Sequence, residues 1–170
     1  YVNDRFDFKA SLQPMMIKNQ IYMDTSAMPN QHRSWLKYFS LTLKKDFHFW
    51  KLHLKNDFQY QFSENGKVLR VPDFYIHQSL VLRHRFHFKS TGGNLDAQLG
   101  IGYYYFSEYK ANAYMPALNL FYHQNGGNIG GRPLVNVFAN FKLKRTSFYI
   151  KAFHANSFFH PNIYYSALDY

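Results

Sequence analysis

Between Phe74 and Phe88 the side chains fall into two sets by parity. Phe74, Ile76, Leu80, Leu82, Phe86 and Phe88 share one; His77, Ser79, Arg83, Arg85 and His87, with Lys89 just beyond, share the other. Successive side chains of an extended strand point to opposite faces, so this segment has one apolar and one basic face. It is also long. Soluble strands usually run to about five or six residues, whereas these 15 suit a tilted strand that crosses a bilayer and extends beyond it.

The same period recurs from residue 36 to residue 154. Phe39, Leu41 and Leu43 alternate with Ser40, Thr42 and Lys44, and Lys44-Lys45-Asp46 reads as a charged break. From Phe47 to Phe62 the apolar set moves to even numbers (Leu52, Leu54, Phe58, Tyr60, Phe62), opposite Lys51, His53, Lys55, Asp57, Gln59 and Gln61. Ser63-Glu64-Asn65-Gly66 and Thr91-Gly92-Gly93-Asn94 read as turns. After the second, Leu95, Ala97, Leu99, Ile101, Tyr103 and Tyr105 alternate with Asp96, Gln98, Gly100 and Gly102. The pattern predicts a short strand over Tyr114 to His123 and a flexible loop over Gly126 to Gly131. Beyond Pro133, Val135, Val137, Ala139, Phe141 and Leu143 oppose Asn136, Asn140, Lys142 and Lys144. A tight turn near Arg145-Thr146 then leads to Phe148, Ile150 and Ala152, opposed by Tyr149, Lys151 and Phe153. Residues 1–33 are less regular. Phe6 and Phe8 alternate and Ile21 to Met23 is strand-like, but Pro14 and Met28-Pro29-Asn30 break the pattern.

Strands in hairpin order leave two edges unless the sheet closes. The expected fold class is therefore all-β, an antiparallel up-and-down barrel, with residues 1–170 as one domain. Alternation alone does not say which face is inside. A lipocalin-like barrel or a sandwich would bury the apolar face; a transmembrane barrel turns it outward. Strand length favours the transmembrane form, as does the aromatic block Tyr103 to Phe106, which resembles an interfacial girdle. The composition agrees: 18 Phe and 15 Tyr supply apolar surface where a soluble core would draw on Leu, Ile and Val. Mean hydropathy is only −0.43, as expected when strands alternate, and no apolar run reaches the length of a membrane helix.

In that arrangement Phe74, Ile76, Leu80, Leu82, Phe86, Leu99, Ile101, Val137, Phe141 and Ile150 face lipid. Lys51, His53, Arg83, Arg85, His87, Lys89, Lys142, Lys144 and Lys151 are candidates to line a pore, where rings of Lys or Arg favour anions. The blander role for any one of them is pairing with Asp57, Asp96 or lipid phosphate. The net charge of +10 allows contact with anionic lipid, an anion-attracting channel or nucleic-acid binding. Single-strand binders display aromatic and basic residues on one face, whereas here the two types separate, so no nucleic-acid partner is expected. His84 and His87 lie on opposite faces of one strand and cannot share a metal. With no cysteine, no phosphate-binding glycine motif and only 10 acidic residues, neither a cofactor nor catalysis is expected.

Two motifs carry a family resemblance. Tyr105-Phe106-Ser107-Glu108-Tyr109-Lys110-Ala111-Asn112-Ala113-Tyr114-Met115-Pro116-Ala117-Leu118 is similar to the YFT-x-Y-x-A-x-x-Y-x-P segment of the "putative porin" family of Bacteroidota outer membranes. Gly131-Arg132-Pro133-Leu134-Val135-Asn136-Val137-Phe138-Ala139-Asn140-Phe141-Lys142-Leu143-Lys144-Arg145 resembles that family's P-x-x-D-x-F-x-N-x-K-x-K-R strand, with Asn136 in place of the usual Asp. His154 falls where the family often has a histidine, and the likeness extends over roughly residues 47–170. The family typically continues past the position of Tyr170 into one more strand, which implies a C-terminal portion of a larger barrel; a complete eight-stranded barrel is the alternative. The resemblance implies passive diffusion of small hydrophilic solutes, anionic ones included, across the outer membrane. The competing function is a structural barrel subunit with a plugged lumen. Expected partners are outer-membrane lipid and lipopolysaccharide, together with other outer-membrane proteins or lipoproteins.

Overall fold

The computed structural model describes residues 2–3, 7–88 and 93–157. Eight strands form one antiparallel sheet in chain order, interrupted once. β1 (Val2–Asn3), β2 (Phe8–Met23), β3 (Pro29–Phe49), β4 (Leu52–Ser63), β5 (Phe74–Phe88) and β6 (Gly93–Phe106) follow one another as hairpins. Two three-residue strands, β7 (Ala113–Met115) and β8 (Leu120–Tyr122), pair with each other outside the sheet. β9 (Leu134–Leu143) then pairs with β6, and β10 (Thr146–Ala152) with β9. Among the described residues β10 has no second neighbour, and β2 meets β1 only at Phe8 and Lys9.

The register carries the period-two pattern across the whole sheet. Leu54, Leu80, Ile101 and Val137 stand in one cross-strand row, and Leu52, Leu82, Leu99, Ala139 and Ile150 in another. The shift of apolar parity between β3 and β4 marks a two-residue hairpin, in which Phe49 pairs with Leu52 across Trp50-Lys51. Trp50 takes φ 53°, and Lys144 takes the same value at the first central position of the β9–β10 turn. Tight hairpins need a left-handed residue there, whichever residue supplies it.

Three sequence expectations are corrected. Lys44-Lys45-Asp46 is not a break; β3 runs through it because Lys44 meets Asp57 at 3.5 Å and Asp46 meets Lys55 at 4.0 Å on β4. Tyr114 to His123 is not one strand, since the turn Pro116–Asn119 folds it into the β7–β8 hairpin. Residues 8–23 and 29–33 are strand, joined by a turn over residues 24–28, so the pattern breaks in this stretch conceal long strands. Among the described residues, Pro14 lies on a stretch of β2 with no outer neighbour, where a missing N–H interrupts no second ladder. A bulge between Lys18 and Gln20, with Asn19 at φ 59°, shifts the register and hides the alternation. The Phe6 reading and the proposed end at Tyr170 lie outside the described residues.

The two ends of the sheet differ. Short turns join β3 to β4 and β9 to β10, whereas residues 64–73 and 107–133 form long connections at the opposite end. The short-turn end also steps along the sheet. Through the register, Phe8 of β2 is level with Gln78 of β5, and Leu143 of β9 is level with Phe86, eight residues further on. Eight residues at about 3.3 Å and five strand intervals at about 4.8 Å correspond to a stagger of roughly 45°. If the turns share one plane, the strands tilt by that much, the value that barrels adopt.

On the polar face, glycine makes room for rings. A Cβ on Gly100 would lie 2.2 Å from the Phe138 ring. Gly100→Val is therefore expected to cost about 1–3 kcal/mol through overpacking. Denaturant unfolding of the refolded protein checks this; an unchanged midpoint would mean that Phe138 does not lie over Gly100.

Candidate functional site

The candidate site is the polar face of the sheet, which has three zones from the short turns to the long connections. At the turn end, Arg83, Arg85 and His87 of β5 stand beside Asn94, Asp96 and Gln98 of β6 and Lys142 of β9. The Arg85 guanidinium makes a two-pronged contact with Asp96, through Nε to Oδ1 and through Nη2 to Oδ2 at 3.2 Å. His87 Nδ1 lies 2.5 Å from Asn94 Oδ1. A concavity of about 340 Å³ is walled by Arg85, Asn94, Asp96, Lys142 and Lys144. Three cations there share one carboxylate, so this zone carries a local excess of positive charge.

The middle zone is balanced. Asp57 lies 3.5 Å from Lys44 Nζ and 3.4 Å from His77 Nδ1, and the His77 ring stacks on Tyr104 at 4.3 Å. Gln59 donates to Ser40 Oγ at 3.1 Å, and Ser40 is 3% exposed. Each of these groups has a partner, so the zone is polar but nearly neutral.

At the third zone the long connections cover the polar face. Leu36, Leu134 and Asn136 are buried, as is Val68 of the 64–73 connection. Asn136 Oδ1 accepts the backbone N–H of His154 at 2.9 Å. A carboxylate at this position would accept it equally well. Asn156 caps the start of β9, accepting from Val135 N–H at 3.0 Å and donating to the Pro133 carbonyl at 2.7 Å.

Most sequence candidates share this face, with two departures. Lys51 sits in the β3–β4 turn rather than beside His53. Its Nζ reaches 2.6 Å from Nδ1 of His84, whose ring packs against Phe86 on the apolar face. Strand parity does not extend through a left-handed turn, so its phase mispredicted the side on which Lys51 lies. Lys144 is likewise a turn residue, but it remains beside Lys142. His53 packs edge-on to His48 at 4.7 Å, and Lys151 lies over the Phe153 ring at 4.0 Å. Lys89 lies outside the described residues. Sequence reasoning missed the Lys44–Asp57–His77–Tyr104 group, because its members come from four strands and only the register unites them.

The opposite face is apolar and open. Phe74, Leu80, Leu82, Phe86, Leu99, Ile101, Val137 and Ile150 are each between 38% and 66% exposed, and Ile76 and Phe141 lie on the same face. Among the described residues no group of three His, Asp or Glu stands close enough to hold a metal ion.

The sequence pattern that defines the family described as Putative porin matches residues 1–170. The chain belongs to this porin family. The match is longer than the stretch from residue 47 on which the motifs alone suggested it. No curated protein and no solved structure matches the chain. An open apolar face backing a polar one is the arrangement a porin wall requires.

One titratable group stands apart at the covered end of this porin-family sheet. His123 is 5% exposed; it stacks on Tyr22 at 4.8 Å and its backbone N–H donates to Met23 O at 3.0 Å. Burial, and secondarily Arg70, hold its pKa below the usual 6.5, while the Val68 backbone and Asp24 act weakly the other way. The folded chain thus keeps the imidazole neutral where the unfolded chain protonates it. This packing is at full strength above about pH 6.5 and weakens as the pH falls below it. Limited proteolysis within residues 107–133, normalised to an unfolded control, should be faster at pH 5.5 than at pH 7.5; equal rates would contradict the assignment.

Proposed function

We propose that the chain forms part of the wall of an outer-membrane β-barrel through which small hydrophilic solutes diffuse, with a preference for anions. The observation that carries this reading is the exposed apolar face, continuous over the long strands. Soluble monomers rarely expose a contiguous apolar patch larger than a few hundred Å² (roughly, by survey). A bilayer covers such a face without any partner protein. The stagger of about 45° at the turn end supports tilted membrane strands, and the unequal connections support an orientation with short turns in the periplasm and long loops outside.

A pore needs more wall than eight strands, because an eight-stranded barrel is just wide enough for its own side chains to fill. The described sheet is therefore one portion of a larger barrel. Its lumen face is mainly polar and is positive toward the β5–β6 and β9–β10 turns, where Arg83, Arg85, His87, Lys142 and Lys144 gather around Asp96. His53 and Lys151 extend the same face. The Phe74, Ile76, Leu80, Leu82, Phe86, Leu99, Ile101, Val137, Phe141 and Ile150 face meets lipid and lipopolysaccharide, and neighbouring outer-membrane proteins or lipoproteins contact the same surface. The function needs no catalysis.

A second reading is favoured by one observation, the cover over Leu36, Leu134 and Asn136. In it, the lumen is plugged and the barrel serves as a structural subunit of an assembly. Planar-bilayer recording on the full-length protein separates the two. Diffusion predicts open-state current, and an Arg83→Glu, Lys142→Glu double variant should lower the anion-to-cation permeability ratio. Absence of current with stably co-purifying partners would establish the plugged form. Current with an unchanged ratio would remove the basic zone from the conduction path.

A further inference from the structure

The connection between β6 and β9 is far longer than its job requires. β6 and β9 are neighbours, yet 27 residues, 107–133, separate them. The base of the connection is closed. Tyr109 and Ile129 exchange backbone hydrogen bonds at 3.0 Å, and Gly131 N–H donates to Phe106 O at 2.8 Å. Gly130 and Gly131 hold φ of 91° and 71°, and a Cβ on either would lie within 2.7 Å of Ser107, Phe106 or Glu108. The two legs therefore leave the sheet together beside β6.

Its far part is fastened elsewhere. After the β7–β8 hairpin, His123 donates its backbone N–H to Met23 at the end of β2 and lays its ring on Tyr22. Arg70, from the 64–73 connection, donates to the Gln124 carbonyl at 2.6 Å, and Gln124 Nε2 donates back to Ala111 O at 2.9 Å. β2 stands four strand positions from β6, about 19 Å at 4.8 Å per strand. The segment thus starts on one strand and is tied down four strands away. Between its two moorings stands β3, whose polar-face residue Leu36 is 0% exposed. A loop that only joined neighbouring strands would reach neither Met23 nor Arg70.

We propose that residues 107–133 form a strap across the outer mouth of the pore that sets the size limit for solutes, fastened at its tip by Tyr22, His123 and Arg70. The inference rests on the diffusion reading above and adds which element selects by size. The basic zone at the short-turn end acts on charge, and the strap acts on bulk. The clasp is built from one ring stack, the His123–Met23 backbone hydrogen bond, the Arg70–Gln124 guanidinium–carbonyl hydrogen bond and a hydrogen bond of the His123 ring with the Val68 backbone, which is a small set to undo.

None of the 170 residues is cysteine, so a Tyr22→Cys, His123→Cys pair, in a full-length background with any further cysteine replaced by serine, places two thiols across the clasp. The full-length double variant, reconstituted in liposomes, is assayed by swelling in neutral saccharides of graded size, oxidised and then reduced. Oxidised protein should keep the wild-type size cut-off, and reduced protein should admit larger saccharides. Arg70→Ala, which leaves the ring stack in place, should shift the cut-off in the same direction and serves if the double variant does not fold. Identical cut-offs for wild type, reduced pair and Arg70→Ala would overturn the strap. A wild type impermeable to every saccharide, with a permeable reduced variant, would support the strap as a full closure. If no form passes any saccharide, the diffusion reading fails and the strap's role fails with it.

Discussion

Cross-strand register is the constraint on which everything else depends. An antiparallel ladder fixes which residues stand opposite each other, and a slip of one position would turn every side chain of a strand to the other face. In this sheet the two-residue turns at Trp50-Lys51 and Lys144-Arg145 set Phe49 opposite Leu52 and Leu143 opposite Thr146, and the ladders between the other strands put Leu82 between Leu52 and Leu99 and Asp96 between Arg85 and Lys142. One set of backbone hydrogen bonds thereby aligns both faces. The apolar rows and the polar rows are two consequences of a single register, and neither could move without the other.

The polar face is graded along its length. Beside the β5–β6 and β9–β10 turns, Arg85, Lys142 and Lys144 outnumber their one carboxylate, Asp96. In the middle, Asp57 is shared by Lys44 and His77, and polar groups satisfy each other. Near the long connections, Leu36 and Asn136 are buried beneath chain that returns over them. Exposed ion pairs contribute little to stability, about 0–1 kcal/mol, so the charges at the turn end matter for the field they set up. Stability comes instead from the ladders, from rings such as Phe138 lying over Gly100, and from caps such as Asn156.

The strands were legible where alternation is unbroken. Phe74 to Phe88 could be read to the residue, because neither a bulge nor a proline interrupts it. The β3–β4 turn was hidden because Trp50-Lys51 lacks the Asn or Gly that usually marks a left-handed position, while Lys44-Lys45-Asp46 mimicked a turn by charge. Those charges are strand residues whose partners, Asp57 and Lys55, come from the next strand, and no local window contains both halves of such a pair. The bulge at Asn19 concealed β2 for a related reason, since an extra residue breaks the period on which detection relies. The basic zone was visible as a list of residues with Asp96 among their partners, but only the register shows that Arg85 is the cation that Asp96 pairs with. The clasp of Tyr22, Arg70 and His123 was invisible, because its parts lie far apart in the chain and carry no shared motif.

The central claim is that the apolar face meets lipid and the polar face meets water. Single cysteines at each position from Phe74 to Phe88, in this cysteine-free chain, can be treated in intact outer membranes with a membrane-impermeant charged maleimide. Labelling should alternate with a period of two: efficient at His77, Ser79, Arg83 and Arg85, and blocked at Ile76, Leu80 and Leu82. Alternation in the opposite phase would mean that the apolar face is the inside of a soluble-type barrel, and uniform labelling would mean that no membrane covers either face.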